Sequence, residues 1–223
     1  MSIADTIRGR LAHIGAEYLA NSNISNALAP GDLDAIEAEA QQHVESLLRC
    51  LVIDTARDHN TRETAARVAR MLVREVFAGR YQSSPRLTTF PNVKHVDECY
   101  AVGPITVRSA CSHHLVPIHG SAWVGVIPGE TLIGLSKFHR LVEWIMARPQ
   151  IQEEAAEQLA DAITAAVAPR ALAVVVRASH MCCEWRGVRD NGSLMTTSVM
   201  RGLFHENSDA RREFLTLIRG MGF

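Results

Sequence analysis

No stretch of the chain approaches the roughly 18 consecutive apolar residues that a membrane-spanning helix requires. The first twenty residues interleave charged and apolar side chains where a signal peptide would carry an unbroken apolar segment. A cytoplasmic protein without leader or spanning helix is therefore expected. Excess charge is also lacking: 23 basic against 24 acidic residues leave a formal net charge of −1. That balance removes any general attraction to nucleic acid or anionic membrane, so an anionic ligand would need a local basic site. The five cysteines, Cys50, Cys99, Cys111, Cys182 and Cys183, are odd in number and irregularly spaced. This argues against a disulfide framework and for thiols that are buried, ligating or reactive. Lysine is nearly missing, with Lys94 and Lys137 alone among the 23 basic residues. No repeat or low-complexity segment occurs.

What is present suits an ordinary globular protein: 223 residues, 47% hydrophobic and 21% charged. A chain of this length buries roughly 70% of its unfolded surface, so no metal is needed merely to hold the fold. A metal would serve chemistry instead.

Ile3, Ile7, Leu11, Ile14 and Tyr18 predict an amphipathic helix over the first twenty residues. A second helix is expected from Asp32 to about Leu51, and a third over about 63–78, with Val68, Leu72 and Val76 inward and Gly79 as its stop. From Leu87 the period changes. Short β-branched or aromatic segments (LTTF, ECYAV, ITVRSA, SAWVGVI) separated by Pro91, Gly103-Pro104 and His119-Gly120 predict antiparallel hairpins. Helices over 136–147 and about 150–167, strands over 171–178 and 194–200, and a last helix capped by Ser208 follow. The succession predicts an α+β protein, with a helical part over about 1–85 and a sheet-containing part over about 86–223.

Two features carry chemistry. Cys111 and His114 are separated by two residues in C-S-H-H, so one tight turn can aim a thiolate and an imidazole at one ion, a donor pair suited to zinc. A third ligand could come from Cys182 or Cys183, the count that leaves a fourth position for water. His113 cannot easily share the ion with its neighbour, because adjacent side chains diverge on extended backbone. It and His180 are acid–base candidates, and both also fit a hydrogen-bonded structural role.

The other feature is basic. In SKFHRLVEWIMA the apolar stripe Phe138, Leu141, Val142, Ile145 and Met146 leaves Lys137 and Arg140 on the opposite face of a helix N-terminus, a place favourable to phosphate. Arg67, Arg70 and Arg74 form a second basic stripe. Either stripe also fits a solvated helix face. Gln152 and Glu153 open the next helix; a buried carboxylate there could accept parallel hydrogen bonds from a guanine-like edge, and an ordinary N-terminal glutamate fits equally.

Taken together the motifs resemble the GTP cyclohydrolase I family: CSHHLVP (111–117), GLSKFHRLV (134–142), RPQIQE (148–153), SHMC (179–182) and RGVRD (186–190), in order, within a similarity covering about residues 32–220. The resemblance implies a T-fold, assembled as a homodecamer of two stacked pentamers with interface active sites. It implies Cys111, His114 and Cys182 as ligands of Zn2+, and His113 and His180 as acid–base histidines. It further implies Gln152 and Glu153 at the purine, with Ser136, Lys137, Arg140 and Arg186, and Arg67 and Arg70 from a neighbouring chain, at the triphosphate. The implied reaction opens the guanine imidazole ring of GTP at C8, releases formate and yields 7,8-dihydroneopterin triphosphate. The chain departs from the family at Ser112, usually glutamate, at Ala65, usually proline, in Cys183-Glu184-Trp185, and at Met195. These departures leave open a relative that takes a modified nucleotide or stops at the ring-opened product, and a non-catalytic binding subunit.

Overall fold

The computed structural model describes residues 2–223. Two compact units divide the chain, Met1–Ser83 and Ser84–Phe223.

The first unit is helical. α1 (Ile3–His13) is capped by Ser2, whose side chain accepts from the Asp5 backbone N–H. It ends earlier than its apolar period predicts: Gly15 turns left-handed at φ +62°, leaving Ile14 and Tyr18 about half exposed while Ile7 and Leu11 pack with Ile24 and Ala27. α2 (Asp32–Cys50) follows. α3 (Thr64–Arg70) runs into a π-helical segment (Met71–Val76) and then α4 (Ala78–Tyr81), so Gly79 is buried within a helix and does not stop one. The buried stripe is Ala65, Ala69, Val73 and Phe77, one register away from the expected Val68, Leu72 and Val76. The widened turn of a π segment keeps residues four apart in line, which the 3.6-residue period does not. Arg74 is not a solvated cation: its Nε donates to Glu37 Oε2 at 2.6 Å and its Nη2 to Asp34, tying this segment to α2.

The second unit holds the sheets. A short pair joins β1 (Thr89–Pro91) to β4 (Thr131–Ile133). The main sheet contains β2 (Tyr100–Cys111), β3 (Pro117–Ile127), β5 (Pro149–Gln150), β6 (Ala171–His180) and β7 (Leu194–Gly202), in the order β5-β2-β3-β6-β7. Gly103-Pro104 does not separate two strands. It forms an irregularity inside one long β2, between Val102 and Ile105, and a Cβ at Gly103 would stand 2.4 Å from Trp123 Cδ1. Gly120 is likewise inside β3, where a Cβ would meet the Arg177 carbonyl oxygen at 2.1 Å. The hairpin turn falls instead at residues 112–116, within C-S-H-H-L-V.

Helices α5 (Leu135–Met146) and α6 (Gln152–Val167) cover one face of the sheet. Pro149 belongs to β5, paired parallel with β2, and α6 begins only at Gln152. α9 (Ser208–Arg219), preceded by α8 (Leu203–Glu206), covers the other face. The cap of α9 is Asn207, which accepts from Asp209 and Ala210 N–H, while Ser208 is the first helical residue. β6 alternates Val174 and Val176 toward the first face with Ala173 and Val175 toward the second. Burial on both sides explains its uninterrupted apolar run. Phe138, Leu141, Ile145, Leu159 and Ile163 are at most 1% exposed, and each contributes about 1.5–3 kcal/mol of burial. The unit is α+β, as expected. Among the described residues no helix is long and apolar enough to cross a membrane.

Candidate active site

The β2–β3 hairpin supplies two of the clustered side chains. Ala110 pairs with Pro117, the Cys111 N–H donates to the Val116 carbonyl at 2.9 Å, and the Leu115 N–H returns to the Cys111 carbonyl at 2.8 Å. Leu115 takes φ +55° to close the turn. The Ser112 N–H donates to the Gln150 carbonyl at 3.0 Å, anchoring the turn to the end of β5.

The third side chain arrives through sheet register. β3 and β6 pair Ile118 with His180, so the chain leaving β6 starts α7 (Met181–Glu184) beside the hairpin. Cys182 then packs with Cys111, Val116, Ile118 and Ala178. One ligand atom from each of Cys111, His114 and Cys182 lies within 4.8 Å of the others, and Cys111 Sγ is 3.9 Å from His114 Nδ1. A tetrahedral zinc, with bonds of about 2.3 Å to sulfur and about 2.0 Å to nitrogen, holds such atoms roughly 3.5–3.8 Å apart. Two thiols and an imidazole close to this separation fit zinc in donor type and spacing. Burial, reinforced by the Cys111 thiol beside it, pushes the Cys182 thiol up to about 11. A cation is what would let both thiols ionise together. Cys183, the alternative third ligand, is exposed and outside the cluster.

The remaining sequence candidates separate. His113 is exposed, its ring nearly perpendicular to that of His114 with centroids 6.3 Å apart, as divergent neighbours require. His180 is half-buried and its Nε2 lies 2.8 Å from Gln152 Oε1. Burial lowers the pKa of His180, while Glu153 and Glu184 act in the opposite direction. Gln152 does not open onto solvent beside Glu153. It is 3% exposed, and its amide donates to Val176 O, Thr197 Oγ1 and Met195 O at 3.1, 3.1 and 3.3 Å. Glu153, in the first turn of α6, is exposed.

Ser136, Lys137 and Arg140 lie in the first two turns of α5, with Ser136 and Arg140 exposed and Lys137 half-buried. Arg186, exposed, donates from Nη1 to His114 Nε2 at 3.1 Å. Arg67 and Arg70 belong to α3 of the first unit; both are exposed, and Arg67 pairs with Glu63 at 2.8 Å. Two contacts escaped the sequence reading. Glu184, in the segment that departs from the family, accepts from the Ser179 hydroxyl, and Thr197 holds Gln152 from 45 residues away. The first depends on how the chain turns from β6 into α7, and the second on the pairing of β6 with β7; neither carries a sequence signal.

The family described as GTP cyclohydrolase I matches residues 40–219. A GTP cyclohydrolase 1 of Haemophilus ducreyi is 40% identical over 188 residues, covering 84% of this chain and 86% of that protein. One of Yersinia enterocolitica is 36% identical over 214 residues, covering 95% and 97%. Among solved structures, the apo form of the archaeosine synthase QueF-Like aligns with 19% identity and a TM-score of 0.37, over 54% of this chain and 97% of that one.

Proposed function

Because the chain belongs to the GTP cyclohydrolase I family, we propose that it is an enzyme acting on GTP at the cluster of Cys111, His114 and Cys182. The reaction opens the guanine imidazole ring at C8, releases formate and gives 7,8-dihydroneopterin triphosphate. The observation that carries this reading is the convergence of two thiols and one imidazole from the hairpin and α7, the donor set of a catalytic zinc site with one position left over. Zinc held there would supply Lewis acidity and water with a pKa near neutrality.

The chain's own residues do the rest. The hairpin hydrogen bonds hold the backbone turn that carries Cys111 and His114, and the β3–β6 register brings Cys182 to it, which supports reading the three as one donor set. His180 stands two residues before Cys182 and is held by Gln152, which suits it to move a proton at the purine N7. His113, exposed on the turn, is the second acid–base group. Glu153 is taken to hold the purine edge. Ser136, Lys137, Arg140 and Arg186, with Arg67 and Arg70 from another copy, are taken to hold the triphosphate. A triphosphate so fixed positions C8, and much of the acceleration comes from that orientation.

Assembly as a T-fold homodecamer is part of the same reading. Among the described residues β7 pairs only with β6, and the far side of β2 is paired only at Ala110 and Cys111. Two long strand edges are thus available to other copies. The test is to incubate zinc-loaded protein with GTP and follow formate and the fluorescence of the oxidised pterin. Both should appear; formate without pterin would reassign the product, and neither would sink the reading.

A further inference from the structure

Gln152 is the first residue of α6, and its side chain is buried against the β6–β7 pair. Strand register puts Val176 opposite Thr197 and Ala178 opposite Met195. Their groups form a small rack: the Val176 and Met195 carbonyls and the Thr197 hydroxyl all face the Gln152 amide nitrogen. The two carbonyls can only accept hydrogen bonds, so the nitrogen end of the amide must face them. Turning the amide over would set Oε1 against two carbonyl oxygens inside the protein, which burial makes costly. Oε1 is thereby committed to the other direction, and there it meets His180 Nε2 at 2.8 Å.

A carbonyl oxygen offers no proton. The histidine nitrogen that faces it must therefore be the N–H, whichever charge state the ring carries. We propose that Gln152 is a positioning residue for the ring-opening reaction: it fixes the orientation of the His180 imidazole and holds it as the Nε2–H tautomer, leaving Nδ1 as the nitrogen that exchanges a proton with the substrate. This rests on the acid–base reading of His180 given above. It also assigns Gln152 a different task from the purine contact implied by its place beside Glu153. The rack makes the arrangement directional. The β6–β7 register orients the amide and the amide orients the ring, so neither the strand groups nor Gln152 itself needs to touch the substrate.

The experiment uses zinc-loaded full-length protein carrying nitrogen-15 histidine, with the His180 resonances identified by their loss in His180→Ala. The wild-type ring should give the Nε2–H pattern alone. Gln152→Met, similar in length and unbranched, should lose that preference and lower kcat for formate release by about 10- to 100-fold, as loss of an outer partner of an active-site histidine does. KM for GTP and zinc content should stay as in the wild type. Thr197→Val removes one acceptor from the rack while keeping Gln152; it should shift the tautomer pattern partway and lower kcat less. It carries the test alone if Gln152→Met does not fold. An unchanged tautomer in these variants alongside an impaired His180→Ala overturns the positioning role and spares the acid–base reading. A raised KM with unchanged kcat in Gln152→Met also overturns it, returning Gln152 to substrate binding. A fully active His180→Ala removes the acid–base reading and the proposal with it.

Discussion

Arg186 and His114, 72 residues apart, meet in a 3.1 Å hydrogen bond from Nη1 to Nε2. Guanidinium only donates, so His114 Nε2 must present its lone pair, which places the proton of the neutral ring on Nδ1, the nitrogen facing Cys111 Sγ. Holding a metal through Nδ1 would require that nitrogen to be unprotonated, with the hydrogen of the neutral ring on Nε2. The arginine contact and such ligation exclude each other, so a ligated His114 frees Arg186 for an anion. Arg186→Ala should accordingly bind zinc at least as tightly as the wild type, measured by competition with a chelator. Its KM for GTP should rise by about tenfold or more, the scale of one charged hydrogen bond.

Cys182 and Cys183 are adjacent, but only Cys182 reaches the cluster. Cys182→Ser should abolish stoichiometric zinc, measured by metal analysis after dialysis, whereas Cys183→Ser should retain it. Equal zinc in both variants would mean that another ligand completes the site.

Replacing His180 by alanine should leave zinc content and melting temperature near the wild-type values while slowing formate release by about 10²- to 10⁴-fold. A merely structural histidine would instead lower stability and spare the rate per folded molecule.

The α9 cap separates two neighbouring residues. Asn207→Ala removes the side chain that accepts from Asp209 and Ala210 N–H, and should cost about 1 kcal/mol in denaturant unfolding. Ser208→Ala should stay within about 0.5 kcal/mol, as exposed helical positions do.

Gly125 lies under the ring of fully buried Phe214, where an added Cβ would stand 2.3 Å from Cδ2. Gly125→Ala should destabilise by about 1–3 kcal/mol through overpacking. Pairing it with Phe214→Leu should recover part of that loss, giving a non-additive cycle.

The sequence by itself determined what local periodicity and chemical type can carry. The amphipathic stripe of α5, with Phe138, Leu141, Val142, Ile145 and Met146 all buried, is written at helical spacing. Cys111 and His114 share one turn, so their partnership is a matter of two intervening residues. The third member of the cluster was different: spacing alone left Cys182 and Cys183 equivalent, and α7, starting beside the hairpin after Ile118 pairs with His180, brings Cys182 to it and leaves Cys183 outside. The same holds for the breaks. Gly103-Pro104 and Gly120 read as turns, yet they sit inside strands because a neighbouring Trp123 ring and Arg177 carbonyl leave no room for a Cβ. Over 64–77 the helical period pointed to Val68, Leu72 and Val76, whereas Ala65 and Ala69 of α3, Val73 of the π segment and Phe77 after it are the buried residues. Gln152 shows the division most clearly. Its neighbour Glu153 made it look like part of a binding edge, but the carbonyls of β6 and β7, brought together by strand pairing, turned its amide inward onto His180. Residue types fixed which chemistry the chain could offer; long-range register, a property of backbone hydrogen bonding across the sheet, decided which side chains stand together.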